Sequence, residues 1–503
     1  MKALLDTNII IHRENYKVIH DDIGVLFGWL DKLKYDKCVH PVTIQEISKF
    51  ADKEVVSSFR KKLESYCLLK TTTAICKEVE TVSSKIDHTE NDKNDTVLLN
   101  EVFCGRVDLL VTEDKLIHTK AKKLGIANKI FFIDSFIEKC LVENPSFVDY
   151  KIQSVKKEYF GNININDSFF DSFKQDYNGF EKWFVRKADE TAYVCQDNGE
   201  IRAFLYLKSE SETENYADID PVFKPKKRLK IGTLKVTLNG YRIGERFIKI
   251  IIDNALKLKV DEIYVTIFEK TIEQKRLVRL LEEYGFYKHG TKTSSSGKEN
   301  VYVKSMIPMI HESDNKKSYP FMDADRSVFL VPIYPQYHTS LLPDSILINE
   351  NPDTFEEQES YRNAISKVYI CRSFERNINQ GDIIVFYRTG GYYKSVVTTL
   401  GIVESVRTDI TTSDEFINQC RSRSVFTNEE LLEQWNYNKY NRPFIVKFLY
   451  AYSFPKLLNL KRLIELGVIK DVGSAPRGFT KITRDQFMKV IEETHTNENI
   501  IIS

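Results

Sequence analysis

Over the first 145 residues, short apolar runs alternate with segments whose apolar positions recur every three or four residues. The runs KALLD, KCVHPV, VDLLVT and KIFFID predict strands, and TIQEISKFADK and DTVLLNEVF predict helices between them. Strands that alternate with helices predict an α/β layer with a parallel sheet covered on both faces. Chemistry in such sheets gathers outside the carboxyl ends of the strands. The first strand meets a carboxylate, Asp6, at that end.

Past about residue 150 the pattern changes. ETAYVCQDNGEIRAFLYLKSES predicts two strands joined tightly at Asn198-Gly199. A basic run, KPKKRLK, precedes a strand (IGTLKVTL), a glycine-containing turn (NGYRIGE) and a long helix (RFIKIIIDNALKL). Another strand (DEIYVTIFE) and a helix ending EEYGF complete an α+β unit. The polar stretch HESDNKKSYPFMDADRS contains a proline and predicts a linker. SVFLVPI, KVYICR, DIIVFYRT, TTLGIVESV and FIVKFLY then predict a small β-barrel with helical decoration. The chain thus divides into 1–145, 148–308, a linker at 309–325, and 326–503.

Composition narrows the reading only a little. At 503 residues the chain exceeds one core, which agrees with several domains. An apolar fraction of 42% and a charged fraction of 29% are ordinary for a globular protein. The formal net charge of +1 provides no global attraction for nucleic acid, so any such site must rest on local patches or on metal. Eight scattered Cys without a CxxC pair argue against a zinc ribbon and for reduced thiols in a cytoplasm. No apolar run approaches the ~20 residues of a membrane span.

Four acids stand at strand ends and helix starts of the first region: Asp6, Glu46, Asp95 and Asp114. Each has a local explanation. Thr43 and Glu46 match a capping box, and Asp95 and Asp114 suit helix N-caps. Gathered at one edge, however, four carboxylates repel by ~1 kcal/mol per pair at 4 Å in water, and by more where water is excluded. A divalent cation removes that penalty, and hard oxygen ligands suit Mg²⁺ or Mn²⁺. Such an ion also steadies charge on a phosphate under attack.

LLDTNI, the Glu of TIQEIS, the Asp of NDTVLLNEV and the Asp of LLVTEDKLI occur in the order of the PIN-domain family, which the first region resembles. That resemblance implies a metal-dependent endoribonuclease. Asp6, Glu46, Asp95 and Asp114 would be its catalytic and metal-binding acids, with Thr7 and Asn8 supporting Asp6. Activated water would cut the phosphodiester and leave 5′-phosphate ends. Asp92 and Glu113 are neighbours able to take the places of Asp95 and Asp114. A tRNA or other RNA substrate, an inhibitor protein, a homodimer and a role in stress, growth arrest or phage defence belong to the family's habits.

QKRLVRLLEEYGF and the NGYRIGE turn resemble the GNAT acetyltransferases. The resemblance implies acetyl-CoA, its pyrophosphate held by N–H groups of the turn from Leu238, Asn239, Gly240 and Tyr241 to Arg242, Ile243, Gly244 and Glu245. Its pantetheine arm would pair with IGTLKVTL. Arg242 replaces a family glycine, and Leu281 replaces the family's proton-donating Tyr, leaving Tyr284 as a substitute. The basic run from Lys224 to Lys230 is either a solvated loop or a phosphate contact.

KVYICRSFERNINQGDIIVFYRT and GIVESV resemble the ASCH and EVE group of PUA-like barrels. That resemblance implies RNA binding, with Lys367, Arg372, Tyr387 and Arg388, and also Tyr392 and Tyr393, as contacts. Two functions stand beside the nuclease reading: acetyl transfer to RNA, aminoacyl-tRNA or protein, and a non-enzymatic RNA-binding scaffold.

Overall fold

The computed structural model describes residues 1–14, 21–49, 56, 59, 62–63, 65–143, 155–197, 199–237, 242–310, 314–345, 360–390, 395–420 and 423–502. They form two compact units, Met1–Val148 and Asp149–Ser503. The architecture is multidomain α/β, with one five-stranded parallel sheet and further mixed sheets.

The N-terminal unit contains β1 (Lys2–Leu5), β2 (Asp36–Val39), β3 (Cys67–Leu68), β4 (Leu109–Val111) and β5 (Ile130–Phe131), in the order β3-β2-β1-β4-β5. Every pairing is parallel. Ala3, Leu4 and Leu5 are wholly buried, as a strand covered on both faces requires. The helices are α1 (Thr7–Glu14), α2 (Asp21–Lys32), α3 (Pro41–Ser48), α4 (Lys77–Ser83), α5 (Glu90–Phe103), α6 (Lys115–Lys123) and α7 (Ile133–Glu143). The chain moves outward from β1 to β3, then returns to β4 on the other side of β1. The topological switch point therefore lies between β1 and β4.

Two helix starts differ from the sequence expectation. α3 begins at Pro41, and the His40 imidazole accepts the Val42 N–H at 3.1 Å. Glu46 is therefore well inside the helix and is not half of a capping box with Thr43. α5 begins at Glu90, where the real capping box is Thr89 with Asp92. That places Asp95 in the second turn rather than at an N-cap. In both cases a better cap stood a few residues upstream.

In the C-terminal unit the first sheet contains β6 (Val155–Tyr159), β7 (Thr191–Asp197), β8 (Glu200–Glu210), β9 (Ile219–Asp220), β10 (Arg228–Val236), β11 (Glu262–Ile267), β12 (Tyr287–Ser294) and β13 (Gly297–Ser305). Their order is β6-β7-β8-β10-β11-β13-β12-β9. The β7–β8 hairpin turns at Gly199, which takes φ +81° as the tight turn requires. β10 pairs with β11 only over Arg228–Ile231, whereas it pairs with β8 out to Val236. The β10 and β11 strands thus separate beyond Ile231.

Next come β14 (Met322–Asp323), β15 (Val328–Ile333), β16 (Ser366–Cys371), β17 (Ile383–Arg388), β18 (Val396–Arg407), β19 (Phe444–Asn459), β20 (Thr480–Ile482) and β21 (Ile501–Ile502). β14 pairs with β21, and the other six run β16-β19-β18-β17-β15-β20. The pairings among described residues do not join β16 to β20, so they form a mixed sheet rather than the closed barrel expected. The segment expected as a linker carries a helical turn at Asn315–Ser318, and Tyr319, Phe321 and Met322 are buried.

Two helices follow the open β10–β11 edge: α8 (Ile243–Leu258) and α9 (Ile272–Glu283). Ile243, Phe247 and Ile251 of α8 share one apolar core with Tyr319, Val385, Leu449 and Phe487. Polar residues near the start of α8 also bind the last region. The Glu245 carboxylate accepts the Ile365 and Ser366 N–H groups at 2.8 and 3.2 Å. Arg246 makes a two-point ion pair with Asp344 at 2.6 and 2.7 Å. Arg242 and Arg423 flank Glu245 at 2.7 and 3.7 Å, and although its burial acts the other way, these cations hold its carboxyl far below the usual range. Removing one member of such a buried set strands the others, at a cost of about 3–5 kcal/mol. Glu245→Ala is therefore expected to destabilise the C-terminal unit by that amount. Hydrogen exchange should show the Ile365 and Ser366 amides losing protection first, and unchanged protection there would refute the role given to Glu245.

Candidate functional site

Asp6 follows β1 directly, and Asp114 stands three residues beyond β4, so both lie at the switch point. The Thr112 hydroxyl donates to Asp6 Oδ2 at 2.7 Å and accepts the Asp114 N–H at 3.0 Å. One small side chain thus sets the position of both acids. Asp114 Oδ1 caps α6, accepting the Leu116 and Ile117 N–H groups at 2.7 and 2.9 Å. The N-cap expectation for Asp114 is met, and it uses one carboxylate oxygen of the two.

Glu46 arrives from α3. Thr7 Oγ1 donates to its Oε2 at 2.5 Å, and Asn94 Nδ2 donates to its Oε1 at 2.7 Å. Thr7 also reaches Thr43 Oγ1 at 3.0 Å. The Thr7 hydroxyl therefore orients Glu46 while its backbone N–H bonds Asp6, and Asn8 is exposed. α5 supplies Asp95, and no hydrogen-bond donor among the described residues reaches its carboxylate.

The charges of these acids are felt mutually. Asp6 is 3% exposed, and burial pushes it up to about 6 against the Thr112 hydrogen bond, with Asp114 and Glu46 raising it further. Burial, then the charges of Asp6 and Asp114, push Asp95 up to about 8. The charge of Lys120, itself wholly buried, opposes this. Its ammonium donates to Asp87 Oδ1, Thr96 Oγ1 and the Asp92 carbonyl at 2.7, 2.8 and 3.0 Å. As the side chains stand, no three His, Cys, Asp or Glu among the described residues are gathered tightly enough to ligate one ion.

The neighbours Asp92 and Glu113 have other work: Asp92 caps α5, and Glu113 accepts the Ile133 N–H at 2.9 Å. The sequence reading missed Thr112 and Asn94. Both sit within two residues of a named acid, in TED and ND, where hydroxyl and amide donors are the expected companions of carboxylates.

The other expected sites fare differently. Leu238, Asn239, Gly240 and Tyr241 lie outside the described residues. The rest of that turn is occupied by the Arg242–Glu245 pair, whose side chains are 5% and 13% exposed. Tyr284 is wholly buried, which with the Glu245 charge raises its phenol well above the usual range, so it is a poor proton donor to a ligand. Of the basic run only Arg228 is buried, pairing with Glu262 at 2.8 Å and lying over the Tyr216 and Phe223 rings, while Lys224 is exposed and Lys226, Lys227 and Lys230 are half-buried. Lys367 and Tyr387 are buried and present nothing to RNA. Arg372 is half-buried against Gln434 and the Tyr437 ring, and Arg388 is also half-buried. Tyr392 and Tyr393 lie outside the described residues. Among the described residues no helix is long and apolar enough to cross a membrane.

No protein-family model and no curated protein matches the sequence. Among solved structures, VapBC2 from Rickettsia felis bound to a DNA fragment of its promoter overlays 26% of this chain and 98% of its own, at 16% identity and TM-score 0.20. A GNAT-family acetyltransferase from Streptococcus agalactiae overlays 31% of this chain and 98% of its own, at 12% identity and TM-score 0.23. The Bacillus subtilis N-acetyltransferase YlbP in complex with coenzyme A overlays 30% and 97%, at 16% identity and TM-score 0.20.

The raised carboxyls make stability depend on pH. Asp6 and Asp95 bind protons more tightly folded than unfolded, so the cation-free chain loses stability as pH rises from about 4 to about 8. Asp95→Asn removes the larger share. In EDTA at pH 8 it is expected to raise the Tm of the N-terminal transition by roughly 3–5 °C and to flatten its pH dependence. A lower Tm would show that Asp95 is not under repulsion.

Proposed function

We propose that the N-terminal unit is a divalent-cation-dependent nuclease that cuts RNA, with Asp6, Glu46, Asp95 and Asp114 as its catalytic acids. The observation that carries this reading is Asp6, a buried carboxylate beside like charges, pushed up to about 6. Acids with perturbed titration at a topological switch point are a usual mark of a functional site. The donors are all hard oxygens, which fit Mg²⁺ or Mn²⁺. Asp6 and Asp95 would hold the ion, with Asp114 through the oxygen that does not cap α6. Such an ion supplies Lewis acidity toward a scissile phosphate.

The chain's own residues have the remaining tasks. Thr112 fixes the spacing of Asp6 and Asp114. Thr7 and Asn94 hold Glu46 by both of its oxygens. Asp95 keeps a proton on its carboxyl near neutral pH, so cation uptake releases protons and strengthens as pH rises. The resemblance of LLDTNI and its companions to PIN domains points to RNA, tRNA included, in a cytoplasmic setting with an inhibitor protein or a homodimer. In the C-terminal unit, Arg372 and Arg388 would contact the RNA.

A second reading, acyl-CoA binding in residues 148–308, draws on one observation: the separation of β10 from β11 beyond Ile231, which leaves a strand edge free for an amide-bearing arm. The buried Arg242–Glu245 pair stands where the pyrophosphate would sit. If saturating acetyl-CoA raises the Tm, this reading gains; no shift removes it.

The nuclease reading is tested with total tRNA and a single-stranded RNA in Mn²⁺. Cleavage is expected to vanish in EDTA, to fall more than about 100-fold in Asp6→Asn, and to fall about 10–100-fold in Thr112→Val. Intact RNA with every divalent metal tried would overturn it.

A further inference from the structure

We propose that Cys76 and Cys104 form a reversible disulfide, a modification site for low-molecular-weight disulfides such as oxidised glutathione. Their sulfurs stand 3.0 Å apart, with Cys104 exposed and Cys76 half-buried. A bond at about 2.05 Å needs an approach of only ~1 Å more. Cys76 precedes α4 and Cys104 follows α5.

The backbone around the pair is already held in register. The Cys76 N–H donates to Asn100 Oδ1 at 3.0 Å, and Asn100 Nδ2 donates to the Thr73 and Ala74 carbonyls at 3.3 and 3.1 Å. Glu101 accepts the Thr73 N–H at 2.8 Å and its hydroxyl at 2.7 Å. Residues 73–76 are therefore clamped onto α5 whether or not the sulfurs are joined. Another pair, Cys38 and Cys67, lies in register on β2 and β3, but Cys38 is wholly buried. Cys140, Cys195, Cys371 and Cys420 are buried too.

Burial, then the hydrogen bond and charge of Cys76, push Cys104 up to about 11. The exchange can start at Cys76, and it balances equally with the two sulfurs exchanged. The Cys76 thiolate breaks the glutathione S–S bond, forms a mixed disulfide and expels one glutathione thiolate. That thiolate takes the Cys104 proton. Cys104 then attacks Cys76 Sγ and expels the second glutathione. Two protein thiols are oxidised and one glutathione disulfide is reduced to two thiols. The new bond closes a loop of 28 residues. It lies about 13 Å along α5 from Asp95, so it leaves the acids in place and stands apart from the nuclease reading.

The full chain is incubated with oxidised glutathione, alkylated, digested and mapped by mass spectrometry. A Cys76–Cys104 cross-linked peptide that disappears in dithiothreitol is expected. Oxidation should also raise the Tm of the N-terminal transition by roughly 5–10 °C in the wild type. Cys104→Ser should show no rise and instead trap glutathione on Cys76. If both wild-type thiols stay free, or if glutathione persists on either without a cross-link, the proposal fails.

Discussion

Burial of carboxylates beside like charges at the mouth of a parallel sheet is the constraint around which the N-terminal acids are arranged. The sheet order places the ends of β1 and β4 side by side, so Asp6 and Asp114 cannot avoid each other. Burial sharpens the conflict, because water no longer screens the charges. The surrounding polar groups each reduce it in part. Thr112 gives Asp6 a hydrogen bond, the α6 N-terminus takes one oxygen of Asp114, and Thr7 and Asn94 take both oxygens of Glu46. Lys120 contributes a buried positive charge nearby. Asp95 receives no comparable help, and it is the acid displaced furthest, to about 8. A cation bound beside it would relieve that burial and repulsion and draw off its proton.

The C-terminal unit is organised by α8, which has two different faces to satisfy. Its apolar residues join a core shared by the middle and last regions, so these regions do not behave as separate beads. Its first turn carries Arg242, Glu245 and Arg246, and all three find charged partners. In an acyl-CoA site the same turn would be bare and ready for an anion. Here a carboxylate sits beside it and binds the N–H groups of β16 and its approach. Two guanidiniums, Arg242 and Arg423, balance that carboxylate.

Much of this was legible in the residues. The apolar runs located β1, β2, β4 and the β7–β8 hairpin, because buried parallel strands and Asn-Gly turns leave strong local patterns. The placement of Asp6 at the end of β1 and of Asp114 at a helix N-cap was legible too, because strand ends and caps have local signatures. Helix starts were less so: His40 and Thr89 outcompeted Thr43 and Asp95 as caps, and that contest depends on three-dimensional partners such as Glu101, which holds His40 at 3.2 Å. The fate of long polar side chains was the hardest to foresee. Lys367 and Arg228 look solvent-facing in a one-dimensional pattern, yet both are interior, Lys367 over the Tyr450 ring and Arg228 over Phe223. Burial of a cation depends on a carboxylate or ring brought from far along the chain, and no local periodicity records that.

α5 shows why the N-terminal site should be read as one object rather than four acids. It carries Asp95 itself, and its Asn94 holds one oxygen of Glu46. Two turns further on, Glu101 receives His40, and His40 caps the helix that carries Glu46. Glu101 is held in turn by Thr73 and by Arg106 at 3.2 Å. The position of Glu46 is thus fixed twice from α5, once at its carboxylate and once at the start of its helix. A change that moved α5 by a fraction of an ångström would shift Asp95 and Glu46 together and preserve their spacing. Asp6 and Asp114 are tied to each other through Thr112 in the same way. The two pairs are themselves joined, because Thr7, next to Asp6, donates to Glu46, and Lys120 of α6 bonds Thr96 and the Asp92 carbonyl of α5.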